Sequence, residues 1–244
     1  MMSTESNVCC ALIRHGAYEQ LPNVPSALQP YPLTREGTEE VRQQARAFGL
    51  WLRATGRTLD PLVETSTLLR AWQTGQIYME ELHEFFQAPP QLKSFPSLCE
   101  RSVGAVANLS VSEIERVIEL DPRFDTPPAN WKSDSDYRLP FDGAESLMEA
   151  GERVAQHLLA WREGAESEMK SGMKSGIKLF VGHGAAIRHA AYHLNVIKRC
   201  DIKRLSMFYG HPVVFEMGLE FADGQCPRLL FGQWKQRQIQ DVPD

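Results

Sequence analysis

A histidine followed by a glycine ends two apolar runs of strand length, in the sequences RHG around His15 and GHG around His183. Ligands of open α/β sheets bind beyond the C-terminal ends of the strands, so two such histidines can meet over one ligand. Glycine allows backbone N–H groups to approach that ligand closely. Because neutral imidazole is a competent nucleophile and phosphorus is a target that it can attack, the pair indicates phosphoryl chemistry.

Two arginines could supply the positive charge that such chemistry needs. Arg14 adjoins the first histidine, and Arg70 lies in the first turn of a predicted helix. The exposed N–H groups and the dipole at a helix N-terminus favour an anion, and a planar guanidinium matches the paired oxygens of a phosphate. Together with His15 and His183, these arginines predict a pocket for a doubly charged tetrahedral anion.

The elements that must position these residues are predicted from hydrophobic periodicity and capping. Thr34 can cap a helix over about residues 36–52, whose apolar side chains share one face and which Gly56 closes. The segment 65–67, Thr-Ser-Thr, offers N-caps for the helix that carries Arg70. Short apolar runs predict strands at about residues 8–13, 62–63, 178–181, 213–217 and 228–231.

Further helices alternate with these strands. Ser110 and Glu113 predict a capping box, and another helix begins at about residue 186. The alternation predicts an α/β fold, a three-layer sandwich with a central, mostly parallel sheet flanked by helices. We expect a single domain over residues 1–244, in which residues 97–143 form a lid-like insertion over the site.

The sequences RHG, LLRAWQT, LCER, GAESL and GHGAAIR follow one another from the first predicted strand onward. In this order they resemble the histidine phosphatase superfamily, whose best-known branch is the cofactor-dependent phosphoglycerate mutases, and the resemblance extends from about Val8 to Trp234. It implies that His15 attacks the phosphorus and becomes a phosphohistidine. It also implies that Arg14, Arg70 and His183 hold the phosphoryl oxygens and stabilise the transition state.

The same resemblance assigns roles to three further positions. Glu100 occupies the position of the family's acid, which protonates the leaving alcohol and then takes a proton from the attacking water. Gly184 belongs with the phosphate-binding residues, and Arg101 is expected to reach the rest of the substrate. No metal ligand and no cofactor are implied for a phosphatase of this kind.

Departures from the mutase pattern decide between activities. The paired arginines that precede the mutase lid segment are replaced by Asp121 and Pro122, which leaves only Arg123, and the mutase asparagine after the second histidine is Ala185. We therefore predict a metal-independent phosphomonoester phosphatase acting on a small molecule or a phosphoprotein. The alternatives are a phosphoglycerate mutase that uses 2,3-bisphosphoglycerate, supported by the FDTPP segment at 124–128, and a non-catalytic binding protein on the same fold.

Other residue patterns carry weaker hypotheses. His189 and His193 have the spacing of zinc ligands on a helix, but Ala190 stands where a zinc peptidase has its glutamate, so helix packing is the preferred interpretation. Cys99 could be a nucleophile, although it has no dedicated partner motif. A dinucleotide fingerprint after the strand at 178–181 would need glycine where Ile187 stands.

Composition excludes several classes of protein. The chain has 244 residues, a net charge of −5 and 43% apolar residues, so no global positive field draws it to nucleic acid or an anionic membrane. It shows neither a run of about 20 apolar residues nor the pattern of a signal peptide. The five cysteines lack C-x-x-C spacing. We expect a cytoplasmic protein without nucleic-acid or membrane partners; its oligomeric state is not predicted.

Overall fold

The computed structural model describes residues 8–170, 176–217 and 227–237, and within these ranges a six-stranded mixed sheet runs through the centre. Its strands are β1 (Val8–Arg14), β2 (Leu62–Ser66), β3 (Gln91–Phe95), β4 (Lys178–Gly182), β6 (Pro212–Met217) and β7 (Arg228–Phe231). They lie in the order β3-β2-β4-β1-β6-β7. The first four are parallel to one another. β6 runs antiparallel to its neighbour β1, and β7 runs antiparallel to β6. Two short strands, β5 (Leu205–Ser206) and β8 (Lys235–Gln236), pair separately.

Helices cover both faces of this sheet, as the sequence predicted. They are α1 (Arg35–Thr55), α2 (Leu69–Glu81), α3 (Val111–Leu120), α4 (Leu147–Lys170) and α5 (Gly184–His193). Alternate residues of β1 point to opposite faces: Ala11 and Ile13 pack in the core with α1 and α2, whereas Cys10 and Leu12 pack with α4 and α5. The predicted α/β sandwich with a mostly parallel sheet is therefore confirmed. No helix of the described ranges is long and apolar enough to cross a membrane.

Most of the predicted helix ends are confirmed. The Thr34 side chain accepts a hydrogen bond from the Gly37 N–H at 2.9 Å, and Gly56 closes α1 in the left-handed conformation at φ 64°. Ser110 and Glu113 form the capping box of α3. The N-caps predicted for α2 at residues 65–67 are wrong, because β2 continues to residue 66 and the N-cap position of α2 is Leu68, whose side chain makes no capping hydrogen bond.

The segment 97–143 has a small hydrophobic core of its own. Ile114 and Ile118 of α3 and the indole of Trp131 are almost fully buried in it, together with Ala27 from the proline-rich loop after β1. The Trp131 Nε1 donates to Glu115 at 3.0 Å. The segment is thus packed against that loop. Its role as a lid-like insertion over the site stays a prediction, as does its place within one domain.

Candidate active site

The topology places the two histidines side by side. β1 and β4 are neighbouring parallel strands with Arg14 opposite Gly182, so the residues that follow them emerge at the same edge of the sheet. His15 and His183 are 3% and 0% exposed, and their ring centroids lie 4.9 Å apart. The His15 N–H also donates to the Gly182 carbonyl at 3.0 Å, which fixes the two strand ends to each other.

The protonation of His15 follows from its hydrogen bonds. Its Nδ1 lies 2.7 Å from the carbonyl oxygen of Gly16, so Nδ1 carries the proton and donates it. The lone pair is therefore on Nε2, which accepts from Arg70 Nε at 3.2 Å. Gly16 is held in turn, since its N–H donates to Thr74 Oγ1 at 3.1 Å and that hydroxyl donates to the Arg70 carbonyl at 2.8 Å.

Arg70 is fully buried between the two histidines and the proline-rich loop. Its Nη2 lies 3.3 Å from His183 Nδ1 and donates to the Ser26 carbonyl at 3.0 Å, and its Nη1 donates to the Gln29 carbonyl at 2.6 Å. Its guanidinium lies 4.4 Å from the ring centre of Tyr18. Burial lowers the pKa of Arg70 from its ordinary value, because the charged form loses hydration there.

His183 is kept neutral. Burial lowers its pKa well below the ordinary value, and the nearby charge of Arg70 lowers that pKa further. Its Nε2 lies 2.7 Å from Ser66 Oγ. Since arginine has donors only, His183 Nδ1 must accept from Arg70 and Nε2 must donate to Ser66.

Arg14 reaches the site from the end of β1. Its Nη1 donates to the Met207 carbonyl at 3.1 Å, and its guanidinium lies 4.1 Å from the ring centre of Tyr209. Gly184, the first residue of α5, lies against this side chain. A Cβ atom on Gly184 would be 2.9 Å from Arg14 Nε, so the position needs a glycine if Arg14 is to stay where it is.

A cavity of about 330 Å³ opens above these groups. Arg14, His15, Glu100 and Gly184 line it, together with a lysine that we did not predict, Lys132. Its other wall consists of residues from the loop after β1 and of Tyr209; these are Tyr18, Gln20, Leu21, Pro22, Asn23, Val24 and Ser26.

Glu100 lines the cavity above His15, whereas Arg101 does not. Glu100 is 7% exposed, lines this cavity and accepts a hydrogen bond from the Arg101 N–H at 2.8 Å. Arg101 is buried, lies 5.8 Å from the Trp131 ring centre and is not among the described residues that line the larger cavity. It lines a smaller adjoining cleft with Ala185, and Ser26, Glu100 and Lys132 line both spaces. A contact between Arg101 and the substrate stays a prediction.

The structure thus places Arg14, His15, Gly184 and Glu100 on the wall of one cavity. Arg70 and His183 lie buried beside His15 and are not among the described residues that line the cavity. Sequence analysis missed the roles of Ser66 and Thr74, which are buried and hydrogen-bonded to the site, and of Tyr18 and Tyr209, whose rings lie against the two arginines. Most of these residues are far in sequence from the site residues that they contact, so no local sequence motif indicates their roles. Thr74, the last letter of LLRAWQT, is the one that the motif contained.

The residues of the weaker hypotheses, His189, His193, Cys99 and Ile187, lie in other surroundings. His189 Nδ1 lies 2.8 Å from the Ala185 carbonyl, and His193 Nε2 lies 3.2 Å from the Met148 carbonyl. Within the described ranges no group of three or more metal-type side chains is found. Cys99 Sγ lies 3.1 Å from Thr67 Oγ1, and Ile187 is buried in the core beside α4.

Comparison with known proteins places this geometry in a family. The model of the histidine phosphatase superfamily (branch 1) matches residues 10–222, and the chain therefore belongs to that superfamily. A 2,3-bisphosphoglycerate-dependent phosphoglycerate mutase of Haemophilus influenzae is 30% identical over 224 residues, which cover 84% of this chain and 92% of the relative. A mutase of the same description from Parvibaculum lavamentivorans is 27% identical over 209 residues, 84% of this chain and 89% of the relative.

Solved structures agree on the fold. A phosphoglycerate mutase from Bacillus anthracis superposes with a TM-score of 0.66 at 16% identity, covering 93% of this chain and 92% of that one. A mycobacterial glucosyl-3-phosphoglycerate phosphatase bound to inorganic phosphate superposes with a TM-score of 0.60 at 19% identity, covering 92% and 96%. Family and fold together support an enzyme of phosphatase or mutase type.

Proposed function

We propose that the chain is a metal-independent phosphomonoester phosphatase that works through a phosphohistidine on His15. The observation that carries the proposal is the tautomer of His15, which the Gly16 carbonyl fixes with the proton on Nδ1 and the lone pair on Nε2. That nitrogen is next to Arg70 and at the wall of a cavity that also contains Arg14 and Glu100. The proposed nucleophile, the proposed acid and Arg14 therefore line one space, and Arg70 lies buried behind the nucleophile.

The reaction takes two balanced steps. First, the bond between His15 Nε2 and phosphorus forms, the bond from phosphorus to the leaving oxygen breaks, and Glu100 gives its proton to that oxygen. Second, a water oxygen attacks the phosphorus, the bond to Nε2 breaks, and the carboxylate of Glu100 takes the water's proton. Arg14 and Arg70 balance the charge on the phosphoryl oxygens in both steps.

Hydrolysis is favoured over mutase activity by the surroundings of Arg123. Of the two arginines that precede the lid segment in the mutases, only this one is present here, and its side chain is 78% exposed and forms an ion pair with Asp121. Ala185, which replaces the mutase asparagine, is buried and lines the small cleft. Fewer side chains are thus present to bind the second anionic group of a mutase substrate. Water is then the simpler acceptor of the phosphoryl group.

Phosphate release from a panel of phosphomonoesters, measured with a chelator present, tests the proposal. The panel includes sugar phosphates, phosphoglycerates, nucleotides and phosphopeptides. We expect release that survives the chelator and disappears in His15→Ala, with an acid-labile phosphoenzyme trapped in the unchanged protein. His83→Ala, at an exposed histidine, is the matched control and should keep full activity. Release that persists in His15→Ala would refute the proposal.

The mutase alternative is supported by the descriptions of the curated relatives. It predicts interconversion of 2- and 3-phosphoglycerate stimulated by 2,3-bisphosphoglycerate, with little free phosphate formed. The ratio of interconversion to phosphate release in one reaction mixture separates the two activities. A ratio well above one would replace the phosphatase with a mutase acting through the same His15.

A further inference from the structure

The segment that carries Glu100 has little regular structure of its own. After β3 the chain makes one short 3₁₀ turn, Pro96–Leu98, and then continues without a helix or a strand through Glu100. A general acid must lie within hydrogen-bond reach of the leaving oxygen. The backbone of such a segment therefore has to be held from outside if its carboxyl group is to keep that position.

Arg153 of α4 holds this backbone by hydrogen bonds. Its Nη1 donates to the carbonyl oxygens of Pro96, Ser97 and Cys99 at 3.2, 2.9 and 3.2 Å, and its Nη2 lies 3.4 Å from the carbonyl oxygen of Glu100. One guanidinium thus binds the backbone carbonyls of the segment that leads to Glu100. Hydrogen bonds from a charged donor are roughly twice as strong as neutral ones.

Glu145, the glutamate of GAESL, fixes that guanidinium from the other side. It accepts from Arg153 Nε and from Arg153 Nη2, both at 2.8 Å, in a two-point ion pair. The same carboxylate accepts from the Ser102 N–H at 3.0 Å. The ion pair is 27% and 23% exposed at its two side chains. It therefore ties the backbone both before and after Glu100 to the start of α4.

We propose that Arg153 and Glu145 are positioning residues, which set the reach of the Glu100 carboxyl group toward the leaving oxygen. The inference rests on the proposed function, because it gives Glu100 the role of acid. Neither side chain lines the cavity, and both hold the backbone of residues 96–102 by hydrogen bonds. Their loss should damage proton transfer to the leaving group and leave the attack by His15 intact.

The leaving group provides the readout. An acid matters most when the departing alkoxide is a strong base, so we compare an alkyl phosphate with p-nitrophenyl phosphate in the same protein sample. Because general acid catalysis contributes about 10²- to 10⁴-fold, Arg153→Met should lower kcat/KM for the alkyl ester by about 10²-fold and that for the nitrophenyl ester by less than about threefold. The ratio of the two values is independent of the folded fraction, so partial unfolding does not affect it.

Three further variants complete the test. Glu100→Gln should show the same selective loss, and Arg153→Lys, which keeps the charge without the fork, should fall between Arg153→Met and the unchanged protein. Arg138→Met, which removes an exposed ion pair to Glu149, also on α4, should leave the ratio unchanged.

Two results would overturn the inference. An equal loss with both esters in Arg153→Met would mean a general structural role, and an unchanged ratio in that variant would mean that the acid needs no such support. Either result, together with a selective loss in Glu100→Gln and inactivity of His15→Ala, would reject the inference while the proposed function stands. Full activity of His15→Ala would reject the proposed function itself.

Discussion

A single methyl group at Gly184 tests whether the position of Arg14 matters for the reaction. The Cβ of Gly184→Ala would be 2.9 Å from Arg14 Nε, 3.0 Å from Cδ and 3.2 Å from Cζ. Because such contacts are shorter than ordinary van der Waals distances, the guanidinium has to move. It cannot move freely, since it donates to the Met207 carbonyl and stacks on Tyr209.

The expected cost is large for activity and small for stability. A misplacement of about 1 Å at a reacting centre costs about 10²-fold in rate, and the loss of one donor to a charged transition state costs about 10²- to 10³-fold. We therefore expect kcat/KM of Gly184→Ala to fall about 10²-fold, which is about 2.7 kcal/mol of transition-state stabilisation. Alanine is a better helix former than glycine by roughly 0.8–1.0 kcal/mol in a helix interior; at the first residue of α5 the gain is smaller, and it offsets part of the strain of moving a side chain.

Steady-state kinetics on p-nitrophenyl phosphate and a thermal melt measure both effects. Gly164→Ala in α4 is the control, because a Cβ there meets nothing within 4 Å; that variant should keep its activity and melt no lower. The double variant with Arg14→Met should be little slower than Arg14→Met alone, since the methyl group acts through Arg14. If Gly184→Ala folds and keeps kcat/KM within about twofold, the assignment of Arg14 as a phosphate ligand is wrong.

Two other predictions concern buried polar groups. Thr74→Val leaves the Gly16 N–H without its acceptor; we expect a loss of about 1–3 kcal/mol in the free energy of unfolding, measured by urea titration, and a lower kcat, and unchanged values would contradict this. Burial lowers the pKa of His189 from its ordinary 6.5 to about 4, so below pH 6.5 the unfolded chain takes up a proton that the folded chain does not. The contribution of His189 to the free energy of unfolding should therefore be constant above that pH and fall by about 1.4 kcal/mol per unit toward pH 4. In His189→Asn, whose amide can still donate to the Ala185 carbonyl, urea titrations should show that contribution missing; an unchanged slope would assign it to other groups.

Local signals made most of the framework predictable. Thr34 and Gly56 bound α1 because a hydroxyl cap and a left-handed glycine act within one turn. The apolar runs before His15 and His183 predicted two strands, and the rule for ligands in α/β sheets brought their ends together. β3, residues 91–95, was missed because it is an edge strand rich in polar, exposed residues and lacks an apolar run.

The site was predictable in its reacting groups and not in its supports. Arg14, His15 and His183 stand at strand ends and Arg70 in the first turn of a helix, so their types and places carried that part of the prediction. Glu100 was assigned through the LCER motif and the family resemblance. Ser66, Thr74 and Arg153 gave no such signal, because a serine, a threonine or an arginine in a helix has many ordinary uses. Their roles depend on contacts such as that between Ser66 and His183, 117 residues apart, which only the folded chain brings together.

The two histidines differ in chemistry because a different ring nitrogen carries the proton in each, Nδ1 in His15 and Nε2 in His183. The Gly16 carbonyl takes the proton of His15 Nδ1, whereas Ser66 takes the proton of His183 Nε2. Arg70 faces both remaining lone pairs, with Nε toward His15 and Nη2 toward His183. Under the proposed function, the oxygens of a bound phosphoryl group would be stronger acceptors than neutral imidazole, so the Nε donor of Arg70 would turn from His15 to them. That exchange would release the lone pair of His15 Nε2, and it requires Arg70, which is fully buried and outside the cavity wall, to gain contact with the anion when it binds.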